Sequence, residues 1–414
     1  MTRSWFGAAM ALLLAPALAL GADPAQGPWR AVILTPGGEL PFGLTLARAA
    51  DGAWGATIHN GSERIDIPEV RVEGDAVSLA IDYFDSRIEA RVVDEGRSLI
   101  GTWSKRRGPG EPATLEFRAA AGALPRFFPI RHPRGTEFKP IDWIGGPWRV
   151  AFQQDADGAI GRFESKGEGV VHATFLTPTG DYRYLEGTFD GQALHLSCFD
   201  GAHAFLFSAR VDGENELRGE FFSGDWHRDP FTAVRDPGAR LVDPWKQTAA
   251  PGAPELAALT YRTPSGEAVT LADDRFAGRA RIIEVFGTWC PNCKDAGAYL
   301  SELHARYAPR GLSIVGLAFE VTGDAERDAA QVATYAQRLR TPYPLLLAGV
   351  SDKTEASRAF PLVDRVRSYP TFVFLDGSGA VRAIYTGFSG PATGEDHARL
   401  RREFEALIER LLDE

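Results

Sequence analysis

The sequence RIIEVFGTWCPNCK, residues 281–294, decides the fold of the C-terminal part of this chain. Its apolar first half predicts a strand, which leads into two cysteines, Cys290 and Cys293, on the first turn of a helix. The two sulfurs are then one helical turn apart, which is close enough to bridge. Cys290 meets the helix N-terminus, where unpaired N–H groups and the macrodipole favour a thiolate. Because the thiolate is the species that attacks disulfides, the pattern predicts reversible dithiol–disulfide chemistry.

The chain has 414 residues, which is long enough for two or three domains with substantial cores. Its 45 basic and 55 acidic residues give a net charge of -10. This charge argues against a nucleic-acid partner, because such a partner requires a basic surface.

Residues 1–22 are typical of a secretory signal peptide. Arg3 supplies the positive start, the stretch from Trp5 to Leu20 is uncharged and mostly apolar, and cleavage is predicted after Ala22 or Ala19. The apolar stretch is shorter than the roughly 20 residues that a spanning helix prefers, so an uncleaved anchor is the less favoured alternative. We therefore expect a periplasmic or otherwise exported protein that is soluble after cleavage.

Export affects how the three cysteines are interpreted. A small disulfide-stapled scaffold would contain many paired cysteines. This chain has one close pair and the distant Cys198, so the pair is better explained as a redox site than as a structural cross-link.

An internal repeat occupies most of the N-terminal part of the chain. Gly27-Pro28-Trp29-Arg30 recurs as Gly146-Pro147-Trp148-Arg149, and weaker matches follow both copies in the same order. Alternating apolar residues such as Val77, Leu79 and Ile81, together with frequent Asp-Gly and Asn-Gly turns, indicate about seven or eight short antiparallel strands per copy. We predict two all-β modules, each a small barrel or sandwich, at residues 23–123 and 143–236. The pattern leaves open whether each module closes alone.

The remaining segments differ in composition from the repeats. Residues 124–142 are rich in Pro, Arg and Phe and predict an ordered connector, whereas residues 237–255 have the Pro, Gly and Ala content of a linker. Beyond the linker, apolar strands alternate with segments of helical periodicity, for example Leu400, Phe404, Leu407 and Leu411 near the C-terminus. This alternation predicts an α/β sheet with helices on both faces in residues 256–414.

Pro370 is a further candidate site residue, because it lies at the entry to the predicted strand of residues 371–375. A dithiol at the start of a helix, together with a proline at the entry to a later strand, resembles the active-site pattern of the thioredoxin superfamily. The extra hairpin predicted in residues 259–271 and the inserted helix and strand predicted in residues 320–348 are similar to those of the TlpA/ResA-like thiol–disulfide oxidoreductases. The resemblance covers residues 256–414 and does not extend to the duplicated β region. The predicted fold is therefore multidomain, with tandem antiparallel β-modules followed by an α/β thioredoxin-like domain.

The resemblance implies a role for individual residues of the site. Cys290 would be the attacking cysteine and Cys293 the resolving one. Pro370 would be a cis-proline facing the sulfurs, with Tyr369 beside it, and Trp289 would cover the site.

The resemblance also makes two acidic residues candidates for proton transfer. Glu284 occupies the position of a buried acid beneath the dithiol, and Glu320 matches an acid that ResA-like proteins have nearby. A buried carboxylate has a raised pKa and could take the proton from Cys293. The position in the strand slightly favours Glu284, and Glu320 could equally be a solvated strand end.

Alternative interpretations of the cysteines are less favoured. A zinc site would need a second Cys or His pair at ligand spacing, and the sequence has none. An inert disulfide would not require the strand, helix and proline context. Lys294 is interpreted as a solvated first-turn residue, and Cys198 as a buried small apolar residue. His195 and His203 flank Cys198 and would suggest a copper site, but strand alternation places His195 on the opposite face from Cys198. The aromatic-rich strands of the repeats are interpreted as module core.

Two hypotheses for function follow. The first is an exported thiol–disulfide oxidoreductase that uses the Cys290–Cys293 pair, with electrons from a membrane donor and no further cofactor. The TlpA/ResA resemblance implies that it reduces disulfides, on cytochrome c apoproteins or other exported proteins. Its direction is open, because Pro291-Asn292 differs from the Gly-Pro pair of reducing thioredoxins. The alternative is a binding protein whose β-modules hold an apolar ligand or dock a partner, with the thioredoxin-like domain in a regulatory or anchoring role.

Overall fold

The computed structural model describes residues 22–155, 157–252 and 255–414. The predicted signal peptide, residues 1–22, lies outside these residues except for Ala22. Within the described ranges, no helix combines the length and the hydropathy that crossing a membrane requires.

The first β-module is one antiparallel sheet. Its nine strands are β1 (Gly27–Thr35), β2 (Gly38–Arg48), β3 (Trp54–Asn60), β4 (Glu63–Asp66), β5 (Glu69–Glu73), β6 (Ala76–Ile81), β7 (Ser86–Val93), β8 (Ser98–Lys105) and β9 (Ala113–Ala121). They pair in the order β4-β3-β2-β1-β9-β8-β7-β6-β5. Buried and exposed residues alternate along β7, so one face packs on the core and the other meets solvent.

The second β-module is a closed barrel. Its strands are β10 (Gly146–Phe152), β11 (Ala159–Gly167), β12 (Val170–Thr177), β13 (Gly180–Asp181), β14 (Leu185–Phe189), β15 (Ala193–Phe199), β16 (Ala204–Val211), β17 (Glu216–Ser223) and β18 (His227–Arg235). The sheet order is β11-β10-β18-β17-β16-β15-β14-β12-β13, and an additional β11–β12 pairing closes the circle. The very short β13 is attached to β12 alone, through Leu176 and Thr177.

The two modules share one local motif and most of their strand order: the run β3-β2-β1-β9-β8-β7-β6-β5 corresponds to β12-β11-β10-β18-β17-β16-β15-β14. In each, the tryptophan of the repeated Gly-Pro-Trp-Arg is buried and donates from Nε1 to a backbone carbonyl four residues earlier: Trp29 to Ala25 O at 3.0 Å and Trp148 to Ile144 O at 2.9 Å. The structure thus shows the duplication that the sequence predicts. Each copy has nine strands rather than seven or eight, because β4 and β13 are too short to give an alternating pattern.

The barrel of the second module is filled by aromatic rings. Phe207 stacks on Phe175 and on Phe221, and both pairs of ring centroids are 4.5 Å apart. Cys198 belongs to the same buried cluster and is fully buried. This packing favours the interpretation of the aromatic strands as module core rather than as a ligand cavity.

The C-terminal domain is an α/β sheet, as predicted. Its strands and helices are β19 (Thr260–Arg262), β20 (Ala268–Thr270), β21 (Ala280–Phe286), α1 (Pro291–Tyr307), β22 (Leu312–Glu320), α2 (Ala325–Leu339), β23 (Leu345–Val350), α3 (Lys353–Ala359), β24 (Thr371–Asp376), β25 (Val381–Thr386) and α4 (Glu395–Asp413). The sheet order is β20-β19-β23-β22-β21-β24-β25, in which β21, β22 and β23 run parallel. The fold-class prediction is confirmed, and the short α3 is an addition to it.

The predicted connector is anchored in the β-modules. Arg126 from the connector donates to Glu186 Oε2 and to Asn60 Oδ1, both at 3.0 Å. Asn60 belongs to the first module and Glu186 to the second, so one side chain joins both modules.

The predicted linker and the helix α2 fix the modules to the C-terminal domain. Trp245 in the linker donates to Glu403 Oε2 at 2.8 Å, and its ring lies 4.7 Å from that of Tyr385. On α2, Gln331 donates to the carbonyls of Asp82 and Tyr83, each at 3.1 Å. The described part of the predicted linker is therefore packed against the C-terminal domain.

Candidate active site

The dithiol stands where β21 leads into α1. Cys290 is the N-cap of α1, and its Sγ accepts a hydrogen bond from the backbone N–H of Cys293 at 3.2 Å. Pro291 follows as the first helical residue, where the missing N–H is of no consequence. Cys290 and Cys293 are joined as a disulfide, with Cα atoms 5.2 Å apart. The structure therefore shows the oxidised form of the pair.

Three further predicted residues surround the sulfurs. The Tyr369–Pro370 peptide bond is cis, and the carbonyl oxygen of Tyr369 lies 3.6 Å from Cys290 Sγ. Trp289 packs edge-on against Tyr369 with ring centroids 5.4 Å apart, and its Nε1 donates to Phe319 O at 2.9 Å. The structure thus brings Cys290, Cys293, Pro370 and Trp289 together in one site.

Glu320, at the end of β22, is buried behind the turn that precedes the dithiol. Its carboxylate accepts two hydrogen bonds from Thr288, at 2.9 Å from the backbone N–H and at 2.7 Å from the hydroxyl. Burial raises the pKa of Glu320 to about 7, although the two hydrogen bonds from Thr288 lower it. Glu320 therefore positions the backbone two residues before Cys290, and it is not a solvated strand end.

Glu284 is buried in the middle of β21, with only 1% of its surface exposed. The Tyr343 hydroxyl donates to Oε2 at 3.4 Å, and Oε1 has no hydrogen-bond partner among the described residues. Burial raises the pKa of Glu284 to about 8, although the Tyr343 hydrogen bond lowers it. Its carboxyl group thus titrates in the pH range where thiols exchange protons.

Arg183, a buried arginine of the second module, is a site residue that the sequence pattern does not identify. Its Nη1 donates to Pro291 O at 3.2 Å, between the two cysteines. The guanidinium also pairs with three carboxylates: Glu63 from the first module, Asp200 from the second, at 2.9 Å, and Asp295 in α1. One side chain therefore links all three domains at the active-site helix, and no local pattern around Arg183 indicates this role.

Lys105 of the first module is a second missed contact. Its Nζ donates to Ala202 O at 3.0 Å and to Trp289 O at 3.3 Å. Burial lowers the pKa of Lys105 to about 8. Both β-modules thus contribute a buried cation to the backbone around the dithiol.

Cys198 and the two histidines that flank it in sequence, His195 and His203, belong to the second module. Cys198 is free and buried in the barrel, where burial raises the pKa of its thiol well above the ordinary value. His203 lies 3.0 Å from Asp200, whereas the His195 ring contacts Phe127. Among the residues that the structure describes, no three His, Cys, Asp or Glu side chains converge as metal ligands would.

The comparisons with known proteins concern the domain that contains this site. Residues 252–384 match the model of the AhpC/TSA family. This part of the chain is a thioredoxin-like AhpC/TSA domain. The thiol:disulfide interchange protein DsbE of Escherichia coli is 25% identical over 128 residues, and the thiol-disulfide oxidoreductase ResA of Geobacillus kaustophilus is 24% identical over 112 residues. The resemblance stated from the sequence is confirmed for this domain.

The matched regions are limited in extent. They cover 31% of this chain and 60% of DsbE, and 27% of this chain and 57% of ResA. A solved thioredoxin family protein from Chlorobium tepidum is 23% identical and covers 37% of this chain and 92% of its own, with a TM-score of 0.28. The chain thus spans about 60% of the length of its first curated relative, and the β-modules fall outside the residues that match the family model.

Glu284→Gln is expected to change how stability depends on pH. The folded carboxyl has a pKa of about 8 against an ordinary 4.5, so it binds its proton more tightly when folded. The free energy of unfolding of the oxidised protein should therefore fall between about pH 5 and 8, by up to about 1.4 kcal/mol per pH unit from this group. Glu284→Gln should remove that slope, measured by urea unfolding at several pH values. The exposed Glu326→Gln should retain it, and parallel profiles for wild type and Glu284→Gln would contradict the assignment.

Proposed function

We propose that this chain is an exported thiol–disulfide oxidoreductase that reduces protein disulfides through Cys290 and Cys293. The observation that carries the proposal is the placement of Cys290 Sγ at the start of α1, facing the carbonyl before the cis-proline. The names of the two relatives, which describe thiol–disulfide interchange, support the same chemistry. Export is supported by the signal-like pattern of residues 1–22.

The proposed reaction transfers two electrons to the substrate. The Cys290 thiolate attacks one sulfur of a substrate disulfide, that S–S bond breaks, and a mixed disulfide forms. The Cys293 thiolate then attacks Sγ of Cys290 and releases the substrate as a dithiol. The Cys290–Cys293 disulfide seen in the structure is the product of this step. A thiol reductant at the membrane is proposed to restore the dithiol, so the cysteine pair is the redox group.

Glu284 is proposed to accept the proton of Cys293. Its raised pKa suits proton exchange with a thiol, and its Oε1 is free of hydrogen bonds from other described residues. Glu320 is proposed to hold the turn before Cys290, because both of its hydrogen bonds come from Thr288. This division separates a proton-transfer role from a positioning role.

The reduction potential of the Cys290–Cys293 couple tests the direction. A value near that of thioredoxin, about -270 mV, is expected, and a value near that of DsbA, about -120 mV, would overturn the assignment as a reductase. The same preparation is expected to accelerate insulin reduction by dithiothreitol, and no acceleration would overturn the proposed activity altogether. Protein isolated from the periplasm for this measurement is expected to begin at Leu20 or Asp23, after the predicted cleavage sites.

A further inference from the structure

One segment of the second β-module, residues 178–181, lies against the Cys-x-x-Cys turn. We call it the cap segment. Asn292, between the two cysteines, donates from Nδ2 to Asp181 O at 3.0 Å. Gly180 approaches the same side chain so closely that an added methyl group would lie 2.7 Å from Nδ2. The cap segment therefore packs on the residues between the sulfurs.

The cap segment also contacts the opposite side of the site. Ser368, two residues before Pro370, donates from Oγ to Thr179 O at 2.6 Å. A methyl group on Gly387, after β25, would lie 2.8 Å from the Thr179 carbonyl carbon. The backbone N–H of Gly390 donates to Asp181 Oδ2 at 2.6 Å. The cap segment thus bridges the turn, the proline loop and the loop after β25.

These contacts bury the groups around the dithiol. Cys290 is 6% exposed, Cys293 is fully buried, and Ser368 is 3% exposed. A substrate sulfur must reach Cys290 Sγ to react. The groups that border its path, on Asn292, Ser368 and Gly390, already donate hydrogen bonds to the cap segment. The residues that border the disulfide are thus covered by a different domain from the one that carries it.

We infer that the cap segment is a built-in occupant of the active site, which must leave before a substrate polypeptide reaches Cys290. The carbonyls of Thr179 and Asp181, two residues apart, accept from Ser368 and Asn292. Alternate residues of an extended chain face the same way, so an extended segment of a substrate protein can make the same two contacts. The identity of the substrate rests on the proposed function, whereas the enclosure of Cys290 does not.

The geometry of the hairpin allows this movement. The cap segment includes the tip of the β12–β13 hairpin, and β13 pairs with β12 at only two positions, Leu176–Asp181 and Thr177–Gly180. The barrel is closed by the separate β11–β12 and β12–β14 ladders. The tip can therefore swing away while the barrel stays closed.

Alkylation of Cys290 in the reduced full-length chain tests the inference. Asp181→Ala removes the acceptor for Gly390, and Gly180→Ala places a methyl group against Asn292, so each should raise the rate with iodoacetamide about tenfold. The limiting rate at high pH is compared, because there Cys290 is a thiolate in every variant. Asp190→Ala is the matched control, since Asp190 accepts backbone amides in another turn of the same module, near the connector. Equal limiting rates in all four proteins would overturn the inference.

Hydrogen exchange provides a second measurement that does not depend on these variants folding. The Cys293→Ser protein is coupled at Cys290 to a peptide activated as a pyridyl disulfide. The amide of Gly390 should exchange about tenfold faster in the coupled protein than in the uncoupled one, because its acceptor on the cap segment is displaced. Unchanged exchange would overturn the inference. Absence of insulin reduction would instead overturn the proposed function and leave the enclosure of Cys290 as measured.

Discussion

Cys293→Ser is expected to accumulate a covalent complex with substrate protein, whereas Cys290→Ser should form none. Both variants should lose catalysed insulin reduction completely, since each lacks one of the two sulfurs that exchange. They differ because Cys290 is the N-cap of α1, where the N–H of Cys293 points at its sulfur and stabilises a thiolate. Cys293 is fully buried inside the first turn and can reach only the sulfur of Cys290.

Non-reducing electrophoresis of periplasmic extracts measures this difference. Bands of higher mass that disappear with dithiothreitol are expected for Cys293→Ser alone. The double variant Cys198→Ala/Cys293→Ser is the matched control and should trap the same proteins, because Cys198 is buried in the barrel core. Equal trapping by Cys290→Ser would show that Cys293 attacks substrate as readily as Cys290 and would contradict the assigned roles.

The sequence was sufficient for the parts of the site that local spacing determines. A strand followed by Cys-x-x-Cys places both sulfurs in one helical turn, and a proline at a strand entry identifies the facing loop. The acids Glu284 and Glu320 could be named from their positions, but their environments could not. Thr288 bonds Glu320 and Tyr343 bonds Glu284, and these pairings depend on how strands and helices pack.

The contributions of the β-modules could not be predicted in this way. The cap segment and Arg183 lie more than 100 residues before the cysteines, and their contacts depend on the docking of whole domains. The same limit applies to the linker, whose composition does not indicate that Trp245 packs on Tyr385. The hydrophobic periodicity of a strand or helix indicates which of its faces is buried, but not which domain covers that face.

Arg183→Met is expected to lower the free energy of unfolding by about 3–5 kcal/mol, because removing one partner of a buried ion pair leaves uncompensated charge. Arg183 is 1% exposed and pairs with Glu63, Asp200 and Asp295. Methionine keeps most of the side-chain volume, so the loss reports charge rather than a cavity. Urea unfolding at pH 7 measures the effect. Arg162→Met is the matched control: it removes an ion pair from the same module to Asp396, but Arg162 is 44% exposed, so a change of about 0–1 kcal/mol is expected.

The pH dependence of the Arg183→Met variant distinguishes a charge effect from a packing effect. Although burial raises the pKa of Asp200, His203 and Arg183 hold it below the ordinary value in the wild type. Without Arg183, burial should raise the pKa values of the remaining carboxyls, and protonation would then relieve the unpaired charge. The deficit of Arg183→Met relative to wild type should therefore shrink as the pH falls from 7 to 5. A deficit that stays constant over this range, or one no larger than that of Arg162→Met, would show that the buried ion network does not hold the three domains together.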